Sequence, residues 1–240
     1  MQNLDNTLAL NGQREVSRLT IGIVLLIGVL LIWFLPETRK FAKSLDRNAA
    51  IWLNQTLSYS RAWQLLWGYL NHQHETWLNV VFMLGLNIVG IFALPKPSRA
   101  QATALVLYFW LAFQLVLLVT HLIFSDWLEI QRNSPSMVIA PWLILSDLLN
   151  MENLKVYSHS CFPAGHVLVL VFWAQFSLLY SVRWVRNLVL LTVVVLTLPR
   201  LISGAHWLSD VVFTAIYASI CFEIAKRNFI FRKIINIGRA

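Results

Sequence analysis

The chain has 240 residues, of which 58% are apolar and only 12% are charged. Soluble domains are nearer half apolar and a quarter charged, so this composition excludes an ordinary soluble domain and indicates an integral membrane protein. The net charge of +8 comes from short basic clusters between apolar runs, which is typical of membrane loops and argues against a nucleic-acid partner.

Apolar runs follow one another along the chain and are long enough to predict membrane-spanning helices. The charged residues 37–43 end the first span. The aromatic-rich stretch that follows is too polar to cross the membrane, and it predicts interfacial helices over about 46–57 and 60–71. The predicted fold is therefore an all-α integral membrane protein, a single domain over 1–240 built as a six-transmembrane-helix bundle with extra interfacial helices. The predicted spans are 19–35, 77–94, 102–124, 166–182, 188–202 and 208–225.

The lysines and arginines of the short loops predict the orientation. Eleven of the nineteen lie in segments that would face the cytoplasm if both termini were inside, and only three acidic residues accompany them there. With this orientation, four segments lie on the outer face: the start of the fourth span, the end of the fifth span, the start of the sixth span and the long loop 125–165. Long loops of this kind are often functional.

The stretch Pro199–Asp210 contains the strongest candidate for chemistry. Arg200, His206 and Asp210 are ionisable residues between two apolar runs, where such groups are costly and usually mark a site. His206 and Asp210 are separated by four residues, which predicts a shared helix face on which the carboxylate accepts the imidazole N–H and leaves the other nitrogen free to attack. Arg200 offers a charged fork suited to phosphate oxygens.

A second candidate element is Cys161-Phe-Pro-Ala-Gly-His166. Gly165 allows close approach of the backbone to an anion, and N–H groups at a helix start favour negative charge. His166 is positioned there to protonate a leaving oxygen. Cys161 is interpreted as a small filler residue, and the sequence offers no spacing of ligands that predicts a metal or another cofactor.

Together, these two motifs resemble the second and third signature motifs of the type 2 phosphatidic acid phosphatase (PAP2) superfamily. The resemblance implies a metal-independent enzyme in which His206 attacks phosphorus, Asp210 orients it and His166 is the general acid. It also implies that Arg200 and Arg132 hold the phosphate. The backbone at Ala164 and Gly165 completes the expected phosphate-binding positions.

Two departures from the family pattern concern the phosphate contacts. The first family motif begins with a lysine seven residues before its arginine, whereas Ser125 stands seven residues before Arg132 and the following proline comes late, at Pro135. The family's serine between Pro163 and Gly165 is Ala164, which lacks a hydroxyl donor.

Within the family, the chain is most similar to a bacterial branch that moves phosphate from undecaprenyl diphosphate to lipid A at the periplasmic face of the inner membrane. The implied partners are thus a polyprenyl diphosphate donor, a lipid A acceptor and the membrane itself. One alternative is a phosphatase acting on undecaprenyl diphosphate, phosphatidic acid or phosphatidylglycerophosphate. Another is a proton-coupled transporter, which predicts ionisable groups near the bilayer centre rather than at one edge.

Overall fold

The computed structural model describes residues 18–33, 35–70, 75–139 and 159–236, without the side chains of 69, 75–78 and 236. The middle of the predicted outer loop, 140–158, and both chain ends lie outside the described residues. Within them the chain is helical, with one isolated bridge between Arg132 and Ser160. The helices are α1 (Arg18–Trp33), α2 (Pro36–Gln55), α3 (Arg61–Leu70), α4 (Glu75–Phe92), α5 (Lys96–His121), α6 (Pro135–Val138), α7 (Gly165–Tyr180), α8 (Arg183–Ile202), α9 (Leu208–Lys226) and α10 (Phe229–Asn236).

The prediction of six spans is not confirmed. Among the described residues, three helical segments are long and apolar enough to cross a membrane: Lys96–Trp127, Arg183–Ile202 and Leu208–Lys226. Helix α1 passes the same test only together with α2, as a pair bent by 95°, which would make a fourth span. The apolar segments Asn79–Phe92 and Gly165–Tyr180 are shorter. A helix of 16 residues is about 24 Å long, less than the roughly 30 Å of a bilayer core.

Helix α2 begins earlier than the sequence predicted. The charged residues after Pro36 form its first turns, ten residues before the expected start at 46. Proline fits the first position of a helix because its N–H would be unpaired there, and Glu37 in the first turn complements the helix dipole. Asp46, Ala50 and Asn54 recur every four residues and are buried, so one face of α2 lies against the bundle.

Helix α7 lies at the centre of the fold and packs against α4, α5, α8 and α9. It is apolar on every side, as expected for a helix surrounded by others, and Leu168, Leu170 and Phe172 are fully buried. Aromatic rings fill the space towards α5, where Phe109 contacts Phe172 at a centroid distance of 5.9 Å. This packing fixes the start of α7, and therefore His166, relative to its neighbours.

Helix α5 exposes a row of large apolar side chains on the side away from α7. Leu107, Leu111, Leu115 and Leu118 are between 55% and 72% exposed. Their spacing of three or four residues places them on one helix face. A continuous apolar surface of this kind indicates contact with lipid, so the chain is a membrane protein.

Candidate active site

Three segments of the chain meet at one end of the bundle: the start of α7, the end of α8 and the start of α9. Helix α8 ends where Gly204 adopts a φ of 75°, a left-handed conformation that glycine tolerates best. The chain then folds back, and the backbone N–H groups of Ala205 and His206 donate to the carbonyl oxygen of Arg200 at 2.9 and 3.2 Å. This turn holds His206 beside the last turn of α8.

The two predicted catalytic histidines face each other across this junction. The ring centroids of His166 and His206 are 6.4 Å apart. A guanidinium N–H of Arg200 donates to Nε2 of His166 at 3.3 Å, and the Arg200 side chain is only 1% exposed. The structure therefore brings together three residues that are 34 and 6 positions apart in the sequence, as their motifs predicted.

The partner of His206 differs from the prediction. Its Nδ1 bonds to the backbone carbonyl oxygen of Cys161 at 2.7 Å, not to the carboxylate of Asp210. Because a carbonyl oxygen only accepts, Nδ1 must carry the proton, and Nε2 of the neutral ring keeps its lone pair. The tautomer needed for nucleophilic attack through Nε2 is thus set by the main chain.

Asp210 instead caps the start of α9. One carboxylate oxygen accepts the backbone N–H of Trp207 at 3.0 Å and the thiol of Cys161 at 3.2 Å, while the other bonds to Arg132. The expected pairing with His206 assumed that both residues lie on one helix, but α9 begins at Leu208 and His206 precedes it. The spacing of four residues therefore does not stack the two side chains.

Arg132 is at the site, but it is held by carboxylates. One terminal nitrogen bonds to Asp210 and to the Ser209 hydroxyl at 2.9 Å, and the other bonds to Asp46 at 2.8 Å. Its guanidinium also lies over the rings of Trp33 and Trp207, at 4.7 and 5.3 Å from their centroids. Three of its five N–H donors are used in this way, so the arrangement is that of a structural clamp rather than of an open phosphate ligand.

Asp46 is a member of the site that the sequence analysis missed. It is 3% exposed and bonds to both the backbone N–H of Ser209, at 2.8 Å, and the Ser209 hydroxyl, at 2.6 Å. Asp46 therefore binds the first turn of α9 and Arg132 at once. It lies 163 positions before Ser209, and no local spacing in the sequence links the two.

The two expected backbone phosphate contacts differ from each other. The N–H of Ala164 donates to the Thr214 hydroxyl at 3.0 Å, so this amide is already used within the protein. Gly165 is exposed, and apart from its chain neighbours and the backbone of its own helix nothing lies within 4 Å of the position that a Cβ would take. The structure therefore leaves open space for an anion beside Gly165 and His166.

The electrostatics of the site favour a neutral His206. Burial and the neighbouring His166 lower the pKa of His206 to about 3, and the positive charge of Arg200 contributes in the same direction. The ring is then neutral at neutral pH, with its single proton on Nδ1. Burial raises the pKa of the Cys161 thiol, as does the nearby Asp210 carboxylate, so this cysteine is not a reactive thiolate.

Cys161, His206 and Asp210 have potential metal-ligand atoms within 4.8 Å of one another. However, these atoms already have partners: Asp210 bonds to Arg132 and to the Trp207 backbone, and Nδ1 of His206 bonds to a carbonyl oxygen. A metal ion would have to break this network, so the group is poorly suited to hold one.

Comparison with known proteins agrees with this geometry. The family model of the PAP2 superfamily matches residues 110–233, just over half of the chain, which include the start of α7, the end of α8 and the start of α9. The lipid A 1-diphosphate synthase of Escherichia coli (strain K12) is 24% identical over 186 residues, which cover 78% of this chain and 76% of that protein. No solved structure matches the chain. With its paired histidines and buried arginine at one end of a helical bundle, the chain belongs to the PAP2 superfamily.

Proposed function

We propose that the protein is a lipid phosphotransferase that works through a phosphohistidine at His206. The observation that carries the proposal is the pair of facing imidazoles, 6.4 Å apart, with Arg200 beside them. Phosphorus would fit between the two rings. The family and the similarity to a lipid A 1-diphosphate synthase support a lipid phosphatase or phosphotransferase.

The first step of the proposed mechanism forms the covalent intermediate. Nε2 of His206 attacks the terminal phosphorus of a lipid diphosphate, and an N–P bond forms as the P–O bond to the lipid phosphate breaks. Arg200 turns from His166 to the equatorial oxygens and neutralises their charge. His166, released from that contact and protonated, gives its proton to the departing oxygen.

The second step returns His206 to its starting state. An acceptor oxygen attacks the phosphorus from the side opposite Nε2, the N–P bond breaks, and the acceptor's proton goes to His166. Asp210, Asp46 and Arg132 act here as positioning residues, since they fix the loop that carries His206 and do not bond to its ring. The chemistry on this chain's residues requires no metal.

The proposed acceptor is the 1-phosphate of lipid A, by analogy with the activity named for the relative. The proposed donor is undecaprenyl diphosphate, as the resemblance of the sequence motifs implies. These lipids meet at the periplasmic face of a bacterial inner membrane. The distribution of basic residues supports that orientation, with both termini in the cytoplasm.

The direct test is to trap the phosphoenzyme. Purified protein is incubated with undecaprenyl diphosphate labelled at its terminal phosphate, using the variant His166→Ala to slow turnover, and the labelled residue is located by mass spectrometry. We expect label on His206, and none in the matched variant His206→Ala. Label on another residue, or full turnover by His206→Ala, would refute the assignment of the nucleophile.

Transfer and hydrolysis are separated by the fate of the label. With lipid A present in the same vesicles, a transferase moves label to lipid A and releases little free phosphate. Equal release of free phosphate with and without lipid A would instead identify a lipid phosphatase that uses the same residues.

A further inference from the structure

A cleft of about 300 Å³ begins at the catalytic residue His166 and extends between α4, α5 and the first turns of α7. Most of the side chains that line it are apolar, among them Val80, Met83, Phe113 and Leu117, and the polar atoms come from His166, Asn79 and the indole of Trp110. Its size and lining suit a hydrocarbon chain rather than a water-filled channel. One end of the cleft therefore contains the catalytic residue of the proposed mechanism, and the rest has an apolar lining suited to a lipid chain.

Asn79 is one of the polar residues in this lining. It is 4% exposed, and its side-chain oxygen has no hydrogen-bond donor among the residues that the structure describes. Buried polar atoms almost always have a partner, and an unpaired one in an apolar setting is unfavourable. By contrast, Asn87 lies two turns further along α4, and its side-chain oxygen accepts bonds from Trp173 and Tyr180.

The missing partner of Asn79 must be a donor, because an amide oxygen only accepts. Val80 and Met83 supply none, and neither the indole N–H of Trp110 nor the ring of His166, which also line the cleft, donates to it in the structure. A group brought in by a ligand would therefore satisfy it. A polyprenyl chain has no N–H or O–H, and neither do the ester linkages of a diacylglycerol phosphate. Lipids with an amide-linked or hydroxylated chain carry such a donor a few bonds from their phosphate.

We propose that this cleft binds the acceptor lipid, and that Asn79 selects a phosphorylated lipid with an amide N–H or a hydroxyl close to its phosphate. The proposal rests on the proposed function, since it places the phosphate of that lipid at His166. It assigns the cleft to an amide-bearing lipid and not to the polyprenyl donor. Asn79 is then a specificity-determining residue outside the catalytic motifs.

Competition between two matched lipids tests this selection without requiring turnover. Ceramide 1-phosphate has an amide N–H and a hydroxyl near its phosphate, whereas phosphatidic acid of the same chain length has ester linkages at the corresponding places. The full chain is presented with equal amounts of both in detergent, and the bound lipids are counted by native mass spectrometry. One additional neutral hydrogen bond predicts that ceramide 1-phosphate is favoured about fivefold.

The variant Asn79→Leu should bring this ratio close to one, because leucine fills the same space without an acceptor. Met83→Leu is the matched control, since it changes an apolar wall of the same cleft, and it should keep the wild-type ratio. A wild-type ratio of one or below would overturn the proposal, as would an unchanged ratio in Asn79→Leu. The wild-type ratio decides the matter even if Asn79→Leu does not fold.

The same measurement distinguishes failure of this inference from failure of the proposed function. Equal binding of the two lipids would remove the role of Asn79 but would leave a lipid-phosphate enzyme intact. Binding of neither lipid would contradict the proposed function itself, and with it the assignment of the cleft.

Discussion

Replacing Asp46 with alanine should destabilise the site that it holds together. The change removes three contacts: the bond from the Ser209 backbone at 2.8 Å, the bond from the Ser209 hydroxyl at 2.6 Å and the ion pair with Arg132 at 2.8 Å. It leaves a backbone N–H at the start of α9 without its acceptor. It also leaves Arg132 with one carboxylate, that of Asp210, in place of two.

The contacts set the size of the effect. Loss of one partner of a buried ion pair costs about 3–5 kcal/mol, and an unsatisfied buried N–H costs about 1–3 kcal/mol. The Arg132 side chain is 22% exposed and keeps Asp210, which reduces the first figure. We therefore expect the free energy of unfolding to fall by about 2–4 kcal/mol in Asp46→Ala. The variant Asp46→Asn should lose about half as much, because its side-chain oxygen can still accept the Ser209 N–H.

Denaturant unfolding of the purified protein in detergent measures the loss, and steady-state kcat measures its effect on catalysis. The start of α9 follows His206 directly, so kcat of Asp46→Ala should fall about tenfold or more, as small displacements of catalytic groups typically cause. Asp126→Ala is the matched control: Asp126 is also acidic, but its side chain is 54% exposed and 3.8 Å from His121. It should change stability by less than about 0.5 kcal/mol. An equally small loss of unfolding free energy in Asp46→Ala would refute the role of Asp46 in holding Arg132 and the start of α9.

The remaining predictions concern the proposed nucleophile, the buried arginine and the bundle core. Arg200→Lys keeps the charge but loses the planar fork, so kcat should fall about a hundredfold with little change in unfolding; unchanged kcat would contradict its role. Since the pKa of His206 is lowered to about 3, its ring stays neutral as the pH falls from 8 to 5, and phosphoenzyme formation should not show an acidic limb from His206 in that range. An acidic limb between pH 8 and 5 that persists in His166→Ala would contradict this. Asn87→Ala removes the acceptor of Trp173 and Tyr180 and should cost about 1–3 kcal/mol in unfolding while kcat per folded molecule is kept; a normal stability would show that those donors find other partners.

The sequence predicted the convergence of His166, Arg200 and His206 because each stands at the end of an apolar run. Such runs place their ends at the membrane edge, so three motif residues at neighbouring ends could be expected to meet. It did not predict which carboxylate contacts which base. The partner of Asp210 depends on whether α9 starts before or after His206, and a difference of two residues at a helix boundary redirects the side chain completely.

The contributions of Asp46 and Asn79 could not be read from spacing. Asp46 lies in a segment predicted to be an independent interfacial helix, and its burial results from the packing of α2 against α8 and α9. Asn79 lies in an apolar run where a single amide is unremarkable in the sequence. Only the positions of its neighbours reveal that its oxygen has no donor among the described residues.

The bond between the His206 ring and the main chain at Cys161 has a consequence for genetics. The acceptor belongs to the peptide group, so exchanging the side chain for serine leaves it in place, and the serine hydroxyl can still donate to Asp210. A mutational scan would then record serine as tolerated at position 161, although the carbonyl of this residue orients the proposed nucleophile. Such a scan would assign importance to the residues that shape the backbone around position 161 and would overlook the carbonyl oxygen that orients the His206 ring. A related chain with serine at this position would keep the same contact to the ring of the proposed nucleophile.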